Sequence, residues 1–501
     1  MPVQSKIKLF VPLMLCFFFS QMSVAKLKLN AGDVKPLLVI MVNTTQSKFT
    51  KPADSINNWI FPTTNNRFTI QDWIKENFAG QVSITPSNES YGTVNDGVVL
   101  VNIDIDDATA LAKMEVACKQ AILIADRYVD FSHYDPAHTG KIDASQLEIC
   151  FLFAIPRYFG CATSFAWGAA PAPVLDGVSV DYFEIIAQVP SRDNIGAMIH
   201  DWLHLNGEED FYANDGSRFG VYQLHLGYIW VGDSPNRKNP SHIMPICSEN
   251  FGFINPQTIT ESGEYELSAW TTGNYNYLKI PTIDPKQYFF VENRQFDGFD
   301  SCLAKDIHQP GIVIYHIDRS METPQNFDNT NREHRLVTIE AANESKYGYN
   351  EYNVVGNDIF NTDHDVLWHE NQVFGPSTFP NSKLYGDKAS DISIKVTSAN
   401  GPIMKVKITM PPGSSTFVSP RDKQTASPLV SIDINSFGRI VLSGLSTAPN
   451  TRLTIADFRG RVIVQKNITA GTVVSHSFSK GIYFYTVKYG KEVLCGKVYI
   501  Q

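Results

Sequence analysis

The sequence predicts an α+β protein: a domain of mixed sheet and helices, then a β-rich region, then a small C-terminal β-sandwich. Three observations predict it. Apolar runs of strand length alternate with helix-period segments through the first part of the chain. After residue 250 the apolar period changes to two. A Pro/Ser/Thr-rich stretch at 411–428 then separates a last run of short strands that ends at Gln501.

The elements follow in order. Residues 37–42 (L-L-V-I-M-V) read as a buried strand. Residues 68–80 read as a helix ended by Gly80, and 98–105 as another apolar strand. Residues 107–129 carry one long amphipathic helical pattern through Leu111, Met114, Ala117, Ala121 and Ile124. Residues 150–155 form a further strand, and a helix is expected over about 193–206, with Ser191, Asp193 and Asn194 as candidate caps. Beyond 250, strands are expected at 264–267, 288–293, 311–318 and 336–341. No internal repeat is visible.

Length suggests two to four domains. The formal net charge is −9, with no Lys/Arg cluster on a periodic face, which argues against nucleic acid as the main partner. Residues 1–25 read as a secretory signal peptide. Lys6 and Lys8 are basic, residues 9–20 are apolar, and Ser23-Val24-Ala25 offers a cleavage site. The apolar core is too short for a membrane span, and no later run is long enough. The expected product is secreted or held at the cell surface. The stretch from 26 to about 35 is too short for an inhibitory pro-segment. The six cysteines after the signal peptide are scattered without C-x-x-C spacing, which speaks against a cysteine metal site and leaves up to three disulfides open.

The segment richest in chemistry is H-D-W-L-H-L-N-G-E-E-D at 200–210. Histidines at i and i+4 project from one helix face and can hold one metal ion. Gly207 can end the helix in a left-handed turn. Asp210 can then reach the same ion as third ligand. Composition alone, with 12 His, yields an H-x-x-x-H pair about 0.3 times per chain. Adding a glycine at +7 and a ligand type at +10 brings the chance to roughly 1 in 400. Ile195, Met198, Ile199, Trp202 and Leu203 supply an apolar face. The pattern resembles H-E-x-x-H-x-x-G-x-x-D with Asp201 in place of the catalytic glutamate, and that resemblance implies a zincin-like zinc-peptidase domain whose helix would carry the active site.

Several further segments, taken together, resemble the immune inhibitor A-like family of secreted zinc metallopeptidases over about residues 36–410. They are L-L-V-I-M-V at 37–42, D-W-I-K-E-N-F-A-G at 72–80, D-F-S-H-Y-D-P-A-H-T-G-K-I-D at 130–143, I-G-A-M-I-H-D-W-L-H at 195–204 and D-F-Y at 210–212. N-F-G-F-I-N-P-Q-T-I-T-E-S-G-E-Y-E-L at 250–267, Y-F-F-V-E-N-R-Q at 288–295 and G-I-V-I-Y-H-I-D at 311–318 follow in the family's order. The resemblance implies a peptidase domain over 26–250, its β-rich continuation over 251–410, zinc on His200, His204 and Asp210, and Asp201 in the general-base position. It also implies hydrolysis of extracellular proteins or peptides through a zinc-bound water. Residues 429–501 resemble the type IX secretion sorting domain of Bacteroidetes, through D-F-R-G-R-V at 457–462, K-G-I-Y-F-Y-T-V at 480–487 and G-K-V-Y-I at 496–500. That likeness implies the outer-membrane secretion machinery as a partner. The other reading is a plain immunoglobulin-like sandwich used as spacer or adhesion module.

The chain departs from the family at three places, and two further candidates stand beside them. Asp201 keeps the charge but sets it about one C–C bond, ~1.5 Å, further back. In F-G-V-Y-Q-L-H at 219–225, His225 falls where the family has a methionine beneath the metal. It is either a satisfied polar residue or a fourth ligand that closes the site. A calcium loop starting at Asp135 would need oxygen ligands at Ala137 and Thr139; Ala137 has no side-chain oxygen, while Gly140 and Asp143 remain. The cluster Asp358, Asp363 and Asp365 is either a calcium site or a solvated loop. Tyr212 either supports the transition state as a phenol donor or is a packing tyrosine. Two function classes therefore stand side by side: a zinc endopeptidase of attenuated rate, and a catalytically inactive homologue that binds protein or glycan at the surface. A serine or cysteine hydrolase is disfavoured, since no G-x-S-x-G occurs and no cysteine has an evident histidine partner.

Overall fold

The computed structural model describes residues 29–413 apart from 63–67, 156–163, 166–170, 181–182, 187–194, 209–210, 212–239, 306, 323–333 and 344–365, together with Arg461 and the C-terminal strands named below. The architecture is α+β, with several sheets and few helices. The expected signal peptide and nearly all of the 411–428 linker lie outside the described residues.

The N-terminal strands are β1 (Val34–Asn43), β2 (Ser83–Pro86), β3 (Val98–Asn102), β4 (Lys141–Ile142), β5 (Glu148–Phe153), β6 (Ser164–Phe165), β7 (Val174–Leu175), β8 (Val178–Val180) and β9 (Phe183–Ile186). The main sheet runs β2-β1-β5-β9-β6, and β3 also pairs with β1. All its pairings are parallel except β6 with β9, so the sheet is mixed. β2 covers the first half of one β1 edge and β3 the second half. At the handover, Gly97 adopts φ +80°, and a Cβ there would lie 3.0 Å from both the Leu37 carbonyl and Pro86 Cα. Only glycine fits that approach.

The continuous apolar run of β1 reflects burial on both faces. Leu37, Val39 and Met41 pack into one core cluster, while Leu38, Ile40 and Val42 pack into another. The first cluster receives α1 (Asp54–Ile60), α2 (Ile70–Asn77), α5 (Ile195–Leu205) and α6 (Pro245–Phe251); the second receives α3 (Asp107–Ala112) and α4 (Met114–Ala125). The single helix expected at 107–129 is thus two. Lys113, at φ −140° and ψ 60°, interrupts it without a glycine or proline to announce the break. The 68–80 helix is also shorter than its pattern. A Thr69/Asp72 capping box starts it late, and it gives way at Phe78 to a turn in which the Gly80 N–H reaches the Lys75 carbonyl at 2.7 Å.

The β-rich part contributes β10 (Gln257–Thr258), β11 (Gly263–Ser268), β12 (Leu278–Pro281), β13 (Gln287–Arg294), β14 (Gly311–Asp318), β15 (Val337–Ile339), β16 (Val373–Phe374), β17 (Ser393–Val396) and β18 (Ile403–Thr409). They form two sheets, β10-β12-β13-β14-β15 and β11-β18-β17-β16. One face of the five-stranded sheet, including Phe289, Val291, Ile312 and Ile314, buries against Leu267, Ile394 and Val406 of the other. Its opposite face, with Tyr288, Phe290, Val313 and Tyr315, joins the same core as α2 and α5.

Buried polar groups also bridge the two parts. The fully buried Arg294 binds both carboxylate oxygens of Asp300 and one of Glu292, and donates to the His242 and Ile243 carbonyls. His242 is clamped between Asp300 at 3.0 Å and Glu76 of α2 at 2.9 Å, and stacks on Trp270.

The C-terminal strands are β19 (Ser431–Ile434), β20 (Ile440–Ser443), β21 (Thr451–Asp457), β22 (Val462–Ile468), β23 (Val473–Val474), β24 (Gly481–Tyr489) and β25 (Glu492–Ile500). They make two antiparallel sheets, β19-β20-β23 and β22-β21-β24-β25. Among the described residues no helix is long and apolar enough to cross a membrane. Cys118 and Cys247 are buried free thiols, which leaves room for no more than two of the three disulfides that six cysteines allow.

Candidate metal centre

The helix α5 forms because its apolar positions repeat on one face. Ile195, Met198, Ile199, Trp202 and Leu203 are all buried, as their spacing predicts. Trp202 meets Phe78 edge-on, with ring centroids 5.7 Å apart. Its indole N–H donates to Glu148 of β5 at 2.7 Å. Asn206 reaches the other oxygen of Glu148 at 3.5 Å. Burial pushes the Glu148 carboxyl up to about 7, although Lys35 and the hydrogen bonds from Trp202 and Asn206 pull the other way. Neither the motif nor its spacing points to Glu148. Its one mark in the sequence is a lone carboxylate opening a strand of otherwise apolar residues, E-I-C-F-L-F.

The helix ends as Gly207 predicts. Gly207 has φ +96°, its N–H bonds to the His204 carbonyl at 3.0 Å, and the Glu208 N–H bonds to the Leu203 carbonyl at 3.0 Å. This pair of bonds is the Schellman motif. It swings the Glu208 carbonyl under the His204 ring, where it accepts from Nδ1 at 2.9 Å. A carbonyl cannot donate, so Nδ1 of His204 carries the proton and Nε2 is left with a lone pair.

The two imidazoles face each other across the helix surface. Their Nε2 atoms are 3.0 Å apart, with ring planes at 85°. His200 is 5% exposed. Two nitrogens bound to one tetrahedral zinc at ~2.0–2.1 Å would stand about 3.3 Å apart, so the pair is within a few tenths of an ångström of that spacing. The same contact also suits a hydrogen bond between the rings, with His200 donating.

Asp201 lies on α5 between the two histidines. Asp210, Tyr212 and His225 lie outside the described residues. Among the described residues no group of three or more His, Cys, Asp or Glu side chains could hold a metal ion. At the first calcium candidate, both Asp135 oxygens accept hydrogen bonds from their own loop, from the Thr139 N–H at 2.9 Å and the Gly140 N–H at 2.7 Å. These bonds hold its carboxyl below the usual range. Thr139 also gives its hydroxyl proton to Asp135, at 2.9 Å, and Asp143 accepts from Ser145. The carboxylates therefore serve as turn caps. The second candidate, Asp358, Asp363 and Asp365, lies outside the described residues.

A separate cavity of about 270 Å³ is lined by His316, Glu340, Lys383, Tyr385 and their neighbours, and includes no residue of α5.

Compared with known proteins, the chain matches no protein-family model, no curated protein and no solved structure.

Proposed function

We propose that the chain is a secreted zinc metallopeptidase of the immune inhibitor A-like type, with a rate attenuated by Asp201. The observation that carries the reading is the pair of Nε2 atoms on α5, 3.0 Å apart, with the His204 tautomer set by the Glu208 carbonyl. Ligating histidines usually donate their other ring nitrogen in this way. The quoted sequence segments add their order and spacing. Zinc, when bound, would lower the pKa of a water and polarise the scissile carbonyl.

In this reading His200 and His204 hold the ion through Nε2, and Asp210 is the third ligand. Asp201 would be the residue placed to accept a proton from the attacking water and return it to the leaving amine. Its shorter side chain places that base about 1.5 Å back, and a misplacement near 1 Å costs on the order of 100-fold. Residues 1–25 export the chain, and residues 429–501 engage an outer-membrane secretion machinery.

Asp201 also supports a second reading, a peptidase homologue without catalysis that binds at the surface. Proteolysis of unfolded casein by the zinc-loaded chain separates the two, run beside His200→Ala and Asp201→Glu. Chelator-sensitive cleavage lost in His200→Ala is the expected result. A silent parent with an active Asp201→Glu variant would mean that this chain has given up catalysis. Silence in all three despite bound zinc would make the metal structural and overturn the peptidase reading.

A further inference from the structure

We infer that Asn250 and Arg319 are positioning residues for His204, acting through Glu208, so that the β-rich part of the chain sets the geometry of the metal helix. The inference rests on the zinc reading above. Glu208 touches the site with its backbone and the rest of the protein with its side chain. Its carbonyl accepts the His204 Nδ1–H at 2.9 Å. Its carboxylate, on a residue only 5% exposed, accepts from the Asn250 amide at 3.0 and 3.2 Å. The Asn250 oxygen in turn accepts from Arg319 Nη2 at 2.8 Å.

Arg319 is itself held firmly. It follows β14 directly, and its Nη2 and Nε bind Glu249 at 2.7 Å and the Tyr288 hydroxyl at 2.9 Å. Tyr288 donates to the same Glu249 oxygen at 2.6 Å, and Lys279 binds the other at 2.8 Å. The chain of contacts thus begins in β12, β13 and the end of β14, crosses α6, and finishes on the ring of a candidate ligand. A carboxylate in the turn after the helix is not demanded by the metal, since Glu208 offers the ring its carbonyl. The side chain instead pins the peptide that carries this carbonyl. Outer partners of this kind change metal affinity by about 10–100-fold.

The test is zinc affinity of the full chain, measured by competition with a chromophoric chelator, with the melting temperature of the metal-free protein recorded alongside. Asn250→Ala, and Asn250→Asp, which opposes two carboxylates, should each weaken zinc by about 10–100-fold. The loss should appear at a temperature where the metal-free variants are fully folded. A purely structural role would lower the metal-free melting temperature alone and leave zinc affinity at that temperature unchanged, which would overturn the inference. Should Asn250→Ala fail to fold, Arg319→Lys keeps the charge facing Glu249, loses the N–H to Asn250, and should weaken zinc in the same sense. Unchanged affinity in every Asn250 and Arg319 variant overturns the inference and leaves the zinc reading intact. Absence of zinc binding by the parent overturns both.

Discussion

The Trp202 indole N–H donates to the buried carboxylate of Glu148 at 2.7 Å, joining the middle of the histidine helix to the start of β5. Trp202 lies between His200 and His204 in the sequence, so this bond fixes which way the helix is turned about its axis. A rotation that moved the histidines would also strip a buried carboxylate of its donor, which costs about 1–3 kcal/mol or more.

Glu148 should make stability fall as pH rises. Its folded pKa of about 7 lies above the ordinary 4.5, so the folded state holds a proton that the unfolded chain releases first. The stabilisation is complete below about 4.5 and is lost as pH rises through about 7. The difference corresponds to roughly 3 kcal/mol. Glu148→Gln should remove this part of the pH dependence, seen as a flatter plot of melting temperature against pH. Equal slopes for parent and variant would refute the assignment.

Gly207→Ala should disturb both fold and metal. At φ +96° an added Cβ costs about 1 kcal/mol, and relief by turning the peptide would draw the Glu208 carbonyl away from His204. The expected result is a lower melting temperature without metal and a smaller rise on adding zinc. If zinc raises the melting temperature as much in the variant as in the parent, the turn does not hold the ring.

Asp300→Asn should destabilise the chain by about 3–5 kcal/mol, because Arg294 and His242 lose a buried counter-charge. Burial pushes the Asp300 carboxyl up, but Arg294 and His242 outweigh it and hold it down at about 2. Its stabilisation is therefore present above the ordinary value of 3.8 and is lost as pH falls toward about 2. His242 has the opposite sense. Burial pulls its imidazole down, yet Asp300 and Glu76 hold it above 6.5, so its contribution is full below 6.5 and fades as pH rises through the folded value. Urea unfolding across pH should show the parent and Asp300→Asn converging at the acid end. A gap that stays constant down to pH 2 would contradict this.

The local features of the candidate site are legible in the amino-acid sequence. The buried face of α5 follows from a 3.6-residue period, the two histidines share a face because they are four apart, and Gly207 ends the helix because no other residue adopts its backbone angle without strain. The two-face burial of β1 is likewise written in an unbroken apolar run. Tertiary structure decided what holds the site in place. Glu148 lies 54 residues from Trp202, Asn250 lies 42 from Glu208, and Arg319 lies 69 from Asn250. Periodicity reports only which face of an element is apolar. Which polar side chain meets which across such distances depends on strand register and on how the layers stack, and neither exists before the core has formed.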